Sequence, residues 1–429
     1  MSAFSLGRLG PRTRTKSGAQ PIEYSLLLTA TLCLLAFGVV MVFSASSTTQ
    51  LLGQSGDSAY YLKRTLAVGA IGLVLMRLMS VRGAKVMRPL TGPLLIVSFG
   101  LLLAVMLPGI GSSANGAQRW IGAGPLQIQP SELAKLALIL YGANLLATRP
   151  QMTREIRTLV PYLAVVGMGC LLMMAEPDLG TAIVVSLSTA ALLVASGVKI
   201  RHLLLLAAGL GAIVLLLILI EPYRMQRLTG FLNPTGDPSG AGFQAIQAKI
   251  AMGSGGFFGV GLGQGIQKIF YLPEAHTDMM LANIGEELGL VGVLAVIAAY
   301  ALFAYAGFDI ALRCRDPFGK RLATGLTVLV CGQAAVNMLA VMGAAPLTGI
   351  PLPFLSYGGS SLVVLLAAVG ILLNTAQRGG AAAASVPDRS RRDGRPRAAR
   401  ARSRRRTDEP RRPRDVRRVA GSRRSASGS

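Results

Sequence analysis

Apolar residues run through this chain in long uninterrupted stretches, and charged residues collect between them; that spacing predicts the fold. Runs of roughly 17–25 apolar residues are long enough to cross a hydrocarbon core of about 30 Å as helices, which close their backbone hydrogen bonds internally as lipid demands. About ten such runs are present, near Tyr24–Phe43, Thr65–Met79, Leu90–Leu107, Pro130–Ala147, Pro161–Met174, Thr181–Val198, His202–Ile220, Gly285–Ile310, Leu322–Ala344 and Ser360–Thr375. They predict an all-α polytopic membrane protein with about ten transmembrane helices and a large loop, 221–284, between the seventh and eighth. The first run is long enough to span and carries no small-residue cleavage site, so it is expected to stay as a helix and not to act as a signal peptide.

Lys and Arg then orient the chain, because short cytoplasmic loops concentrate them. Arg82, Lys85 and Arg88 fall in one connection, Arg149, Arg154 and Arg157 in a second, Lys199 and Arg201 in a third, and Arg313, Arg315, Lys320 and Arg321 in a fourth. Both termini are expected in the cytoplasm, where the basic stretch Arg12–Lys16 also belongs. The segments 45–62, 109–129, 175–180, 221–284 and 345–359 are expected to face outward. From 377 the composition turns to Arg, Ala, Ser and Pro, with too few apolar side chains to build a core, and the tail is expected to be disordered. This tail carries more than half of the formal charge of +24. Tethered beside the cytoplasmic leaflet, it meets anionic headgroups before any nucleic acid, so lipid contact and not nucleic-acid binding is expected. Thus 1–23 reads as a basic tail, 24–376 as the membrane domain and 377–429 as a second tail. Cys33, Cys170, Cys314 and Cys331 lie in or beside spans without paired or metal-site spacing and are expected to be inert.

Polar side chains are dense in three of the outward segments. The first runs from Asn115 through Arg119 and Trp120 to Gln129-Pro-Ser-Glu132 and the span carrying Lys135. Glu132 and Lys135 are i,i+3 and share one helix face, which fits either a structural ion pair or a substrate contact; Trp120 reads as an interfacial anchor. The second is the long loop, with Arg224, Arg227, Lys249, the glycine run Gly253–Gly265, Lys268 and then PEAHTD ending at Asp278. It contains neither the dinucleotide fingerprint nor a Walker pattern, although glycine N–H groups and cations are compatible with a phosphate-bearing lipid. Glu286 and Glu287, further on, read as acids placed at a helix start. The third is Pro346–Ser361, whose prolines and glycines interrupt the helix. Irregular backbone at membrane depth is tolerated mainly where it lines a cavity or is covered by protein.

NGAQRWI, QPSELAKL, EPDLGTA, the stretch from GSGGFFGVGLGQ through YLPEAHTD to GEELG, and PLPFLSYGGSS resemble, in order, the signature blocks of the SEDS (shape, elongation, division and sporulation) family over about residues 24–376. PEAHTD after GLGQ and QK is similar to the division branch, FtsW; in the elongation branch, RodA, a Gln usually stands at the place of Ala275. Glu176 departs from the resemblance, standing where Gln is common, and Met279-Met280 replace a pair that usually includes an aromatic.

The resemblance implies a peptidoglycan glycosyltransferase that polymerises lipid II in the cytoplasmic membrane, enriched at the septum. It further implies a class B penicillin-binding protein transpeptidase as partner, with other division proteins. Joining the GlcNAc 4-hydroxyl of one lipid II to the MurNAc anomeric carbon of another needs a base. Pyrophosphate leaves as a stable anion, so donors that meet its charge replace the acid of a glycosidase. Asp278 is the expected base, its carboxyl raised by desolvation at the membrane edge; His276, two positions away on what reads as an extended segment, is expected to point elsewhere. Arg224, Arg227, Lys249 and Lys268 are the expected pyrophosphate contacts. Arg119, Glu132, Lys135, His276, Ser356 and Ser360 complete the expected substrate site. No metal-ligand set is visible, and a divalent cation, Mg or Mn, bridging Asp278 and pyrophosphate stays open. So do three other readings: a lipid II flippase, a non-catalytic division scaffold and an elongation-branch polymerase. Polar residues gathered at one face, not at the bilayer midplane, favour chemistry over transport.

Overall fold

The computed structural model describes residues 21–384, apart from short breaks at 53–55, 110, 115–116, 123–126, 221, 237–239, 241 and 270. The body of both expected tails lies outside the described residues. Eleven α-helices are described: α1 (Ile22–Leu52), α2 (Tyr60–Val105), α3 (Pro130–Thr148), α4 (Ile156–Ala175), α5 (Leu179–Ala195), α6 (Ile200–Ile220), α7 (Pro222–Leu232), α8 (Phe243–Ser254), α9 (Met280–Arg313), α10 (Pro317–Val341) and α11 (Gly359–Ala384). A two-stranded antiparallel hairpin, β1 (Gly111–Ala114) and β2 (Ala117–Ile121), is inserted before α3. The architecture is all-α and polytopic. Eight described segments are long and apolar enough to span a membrane, two of them within α2. The 17 residues of α5 and the 19 of α3, with its charged pair, coincide with the other two expected runs.

Local chemistry sets the helix starts. Pro130 and Pro317 stand in the first turns of α3 and α10, where a missing N–H costs nothing. The carboxylates of Asp178 and Asp316 cap α5 and α10 by accepting backbone N–H groups. α10 lies at the centre, packed on α5, α9 and α3; α1 packs on α9 and α2 on α3. None of the most apolar window of α6 is buried, which places that helix at the rim of the bundle.

Two expectations about connections are corrected. Arg82, Lys85 and Arg88 stand where two spans connect, as expected, but form no loop: helical hydrogen bonding continues through them, and α2 holds 46 residues with Pro89 and Pro93 inside it. Drawn straight it would reach roughly 70 Å, but its contacts show that it doubles back. Tyr61 stacks on Tyr357 and Val105 meets Gly111 at one end of the bundle, whereas Ser80 accepts a hydrogen bond from Asn374 and Arg88 covers Phe318 at the other. Pro89 and Pro93 each delete a helical hydrogen bond and bend α2 beside this reversal. The long loop likewise contains α7 and α8, and α11 runs past the expected boundary at 377 to Ala384.

The break in α9 positions the glycine run. Gly289 has φ 63° and ψ −159°, a conformation open to glycine. A side chain there would strike Gly259, itself at φ 81°. The broken backbone is satisfied across this contact: Val260 and Gly261 donate to the carbonyls of Glu286 and Glu287, while Leu290 and Val291 donate to Gly256 and Phe257. Discontinuous helices survive at membrane depth when neighbouring groups make up the lost bonds in this way.

Candidate active site

One cavity of about 640 Å³ collects residues from all five segments expected to face outward. Tyr61 comes from the first, Arg119 and Trp120 from the second, Asp178 from the third, Arg227 and Asp278 from the fourth, and Ile350 and Tyr357 from the fifth. This size lies within the ~300–1,000 Å³ typical of pockets that enclose a drug-sized ligand.

Asp278 sits on the turn that precedes α9. Its backbone carbonyl accepts from Asn337 Nδ2 at 2.8 Å, and the same amide donates to Ile350 O at 2.8 Å. One helical turn earlier on α10, Gln333 donates to Pro351 O at 2.9 Å and accepts from Lys135 Nζ at 2.8 Å. Lys135 in turn pairs with Glu132 at 2.9 Å. A buried polar ladder therefore runs from the α3 ion pair through two α10 amides to the irregular segment 345–358 and to Asp278. Tyr357 N also donates to His276 O at 2.9 Å, and Tyr300 Oη donates to Pro353 O. Each of these side chains makes at least one buried hydrogen bond, although Glu132 Oε2 and Asn337 Oδ1 have no partner, and such bonds hold the backbone of both segments in place.

The Asp278 carboxylate itself is sparsely held. Its described side-chain hydrogen bond comes from Thr277 Oγ1, at 3.4 Å. Burial raises its pKa to about 7, reinforced by the charge of Glu274, against the opposing pull of Arg227. The point where a Cβ on Gly349 would stand is 3.9 Å from Arg227 Nη1 and 4.0 Å from Asp278 Oδ2, so carboxylate and guanidinium face the same small space. Arg227 is oriented by donating to Leu347 O at 2.8 Å.

The expected site residues separate into three groups. Asp278, Arg227, Arg119, Glu132 and His276 line the cavity. His276 is a correction: residues 272–279 form consecutive turns and not an extended segment, so His276 and Asp278 reach the same cavity. The imidazole is stacked 4.4 Å from the Tyr61 ring, and burial lowers its pKa, which favours the neutral form. Lys249 does not line this cavity but a smaller one adjoining it at Arg227 and Gln244. The backbone of Arg224 lies on α7, and its side chain falls outside the described residues.

Lys135, Lys268, Ser356 and Ser360 are spoken for elsewhere. Lys268, expected to face a pyrophosphate, is buried and paired with Glu287 at 2.6 Å, with Ser44 at 3.1 Å. Ser356 accepts Leu352 N and Ser360 accepts Gln129 N, so both hydroxyls brace backbone. Ser361, next in sequence, lines the cavity instead, with a hydroxyl that has no partner. The compatibility of the glycine run with a phosphate is reduced for the same reason as Lys268. Glu286 accepts the N–H groups of Ile266 and Gln267 and Glu287 that of Gly263, so these donors are already used. The two glutamates organise the loop and do not serve the helix dipole.

Four residues not assigned to the site from sequence also line the cavity: Arg64, Asp178, Glu274 and Gln129. Asp178 accepts from Ser131 and Gln129, both at 3.1 Å, and Arg119 donates to the carbonyls of Glu176 and Pro177, locking hairpin, α3 and α5 together. Glu176 is buried with both side-chain oxygens unpartnered; burial and neighbouring Asp178 lift its pKa to about 8. A protonated carboxyl has the shape and neutrality of an amide, which explains how Glu stands at a place where Gln is common. Among the described residues no three His, Cys, Asp or Glu side chains converge closely enough to hold a metal ion. Mg²⁺ or Mn²⁺ at phosphate substrates is commonly held by one or two carboxylates together with phosphate oxygens and water, and Asp278 would be this chain's contribution to such a site.

Residues 24–379 match the family model of the FtsW, RodA and SpoVE cell cycle proteins. The chain belongs to this family. Similar relatives include the probable peptidoglycan glycosyltransferase FtsW of Trichlorobacter lovleyi, 44% identical over 360 residues that cover 82% of this chain and 93% of the relative. Stage V sporulation protein E of Bacillus subtilis is 41% identical over 354 residues, covering 82% and 96%. Among solved structures, a chain of a peptidoglycan synthase complex that coordinates polymerisation and crosslinking superposes with TM-score 0.67 at 32% identity, over 82% of this chain and 97% of that one. The rod shape determining protein RodA of Thermus thermophilus gives 0.59 at 30%, over 81% and 95%. This family member is thus a multi-pass membrane protein whose fold is shared with both.

Proposed function

We propose that this protein is an inverting peptidoglycan glycosyltransferase that polymerises lipid II, with Asp278 as general base. The observation that carries the reading is a sparsely bonded carboxylate with a pKa of about 7, facing Arg227 across the same small space in a cavity built from five segments. Asp278 takes the proton of the acceptor GlcNAc 4-hydroxyl as its oxygen bonds to the anomeric carbon of the donor MurNAc. The bond from that carbon to the phosphate oxygen breaks, and its electron pair leaves with polyprenyl pyrophosphate. A base poised near the working pH is the most effective, and a guanidinium aimed at the leaving oxygen stabilises the charge that develops there. Asn337, through the Asp278 carbonyl, is a positioning residue.

The cavity end faces outward in this reading, with both termini in the cytoplasm, as the Lys/Arg distribution supports. Similarity to FtsW-named relatives supports work at the septum. Similarity to a chain of a synthase complex that also crosslinks supports a class B penicillin-binding protein transpeptidase as partner. The Arg-rich tail is assigned to anionic lipid and division partners, away from the chemistry. Purified with that transpeptidase and given lipid II, the protein should yield a ladder of glycan polymer on a gel. A folded, partner-bound preparation that makes no polymer overturns the proposal.

A further inference from the structure

The smaller cavity beside the active site has a composition of its own. It holds about 230 Å³, below the ~300–1,000 Å³ of pockets that enclose drug-sized ligands. It lies between α7, α8 and the end of α10, and its charged lining residues are Arg227 and Lys249; no acidic side chain lines it among the described residues. The larger cavity, by contrast, presents Glu132, Asp178, Glu274 and Asp278 beside Arg64 and Arg119. Lys249 is an exposed side chain lying over Gly343, with Nζ 3.1 Å from the point where a Cβ on that glycine would stand. Arg227 and Gln244 line both cavities.

We infer that the smaller cavity is the pyrophosphate subsite of the donor, and that the larger one receives the sugars of the acceptor. The inference rests on the glycosyl-transfer reading above and assigns its two substrates to places. Both substrates carry a pyrophosphate, but at different distances from the reacting atoms. On the donor it is attached to the carbon under attack; on the acceptor it lies two sugar rings from the attacking hydroxyl. Asp278 marks where the hydroxyl must be, and Arg227 faces the same space. An anion site that begins at Arg227 therefore holds the pyrophosphate bonded to the reacting carbon, with Lys249 taking the charge one step further out. A cavity of this volume admits a diphosphate and excludes a disaccharide, whereas the larger one has the hydrogen-bonding side chains that sugars require. Charge-assisted bonds to phosphate oxygens gain most where no carboxylate competes, and none of the described lining residues is acidic.

The test uses the full chain in detergent with its transpeptidase partner, as wild type, Lys249→Gln and Lys249→Glu. Binding is titrated with undecaprenyl pyrophosphate and, separately, with phosphatidylglycerol. Polymerisation of lipid II is then inhibited with a lipid II whose GlcNAc 4-hydroxyl is blocked, which can act only as donor. Loss of one charge-assisted contact should weaken both undecaprenyl pyrophosphate binding and the potency of the blocked analogue about tenfold for Lys249→Gln. Lys249→Glu should weaken them further, and phosphatidylglycerol binding should not change. Unaltered pyrophosphate binding in both folded variants overturns the assignment; so does an equal loss of phosphatidylglycerol binding, which marks a lipid-headgroup contact. Absence of polymer from wild type sinks the catalytic reading instead, so the two failures are distinguishable.

Discussion

Asp278 and Glu287 flank the first turns of α9 and meet opposite surroundings. Glu287 is fully buried, yet its oxygens are met by Lys268 at 2.6 Å, by Ser44 at 2.6 and 2.7 Å, and by Gly263 N at 3.1 Å. Asp278 faces a cavity with one long side-chain bond, an acidic neighbour and a guanidinium across a gap. Glu287 is fully buried and Asp278 half-buried at a cavity wall, and the larger difference lies in how well each charge is answered. An answered carboxylate holds structure, here the glycine run against the break in α9. A weakly answered one is left available for a proton.

That contrast fixes the signs of several outcomes. The largest is expected on the structural side: Glu287→Ala leaves Lys268 buried without its partner and should cost about 3–5 kcal/mol, read as loss of folded protein and a lowered Tm. Replacing both residues at once, Lys268→Met with Glu287→Leu, should recover much of it. On the catalytic side, Asp278→Asn should lower polymerisation by about two orders of magnitude or more while partner binding persists. Its stability should move the other way. The native state raises this carboxyl from 3.8 to about 7, so it holds the proton more tightly than the unfolded chain does. Stability is therefore lost as pH climbs from about 4 to about 7 and stays at that lower level above it. Asp278→Asn should melt higher than wild type at pH 8 and about level with it at pH 4; a lower Tm at pH 8 breaks the comparison.

A smaller effect is expected at Asn337, which joins the two regions. Asn337→Ala strands the carbonyls of Asp278 and Ile350, at about 1–3 kcal/mol. It should lower kcat about tenfold through misplacement of the base without moving the pH limb. The smallest is expected for truncation after Ala384, which should leave polymerisation in detergent nearly unchanged while altering enrichment at the division site. Loss of polymer from the folded truncated protein would give the tail a catalytic role.

Much of this was legible beforehand. Lys/Arg alternation marked five segments as expected to face outward, and all five contribute residues to the cavity. Asp278 stood out because an isolated acid beside an apolar run has no packing reason to persist. What the sequence hid is who faces whom. Lys268 and Lys249 read alike as loop cations, and only the fold shows one paired in the interior and the other beside a cavity. Arg82, Lys85 and Arg88 suggested a loop because charge interrupts hydropathy, but charge does not interrupt a helix. Gln333 and Asn337, one turn apart on a central span, carried a signal that was available: amides there require partners. His276 was misplaced because consecutive turns leave no periodicity to read.

The central claim, that Asp278 is a base held near neutrality by its surroundings, is tested most directly by the pH dependence of kcat/KM for lipid II. The wild type should show an acid limb with an apparent pKa near 7, falling about tenfold per pH unit below it. The charge of Glu274 raises the Asp278 value, so Glu274→Gln should carry that limb to lower pH. A profile flat from pH 5 to 8, or a limb that Glu274→Gln leaves in place, would contradict the account.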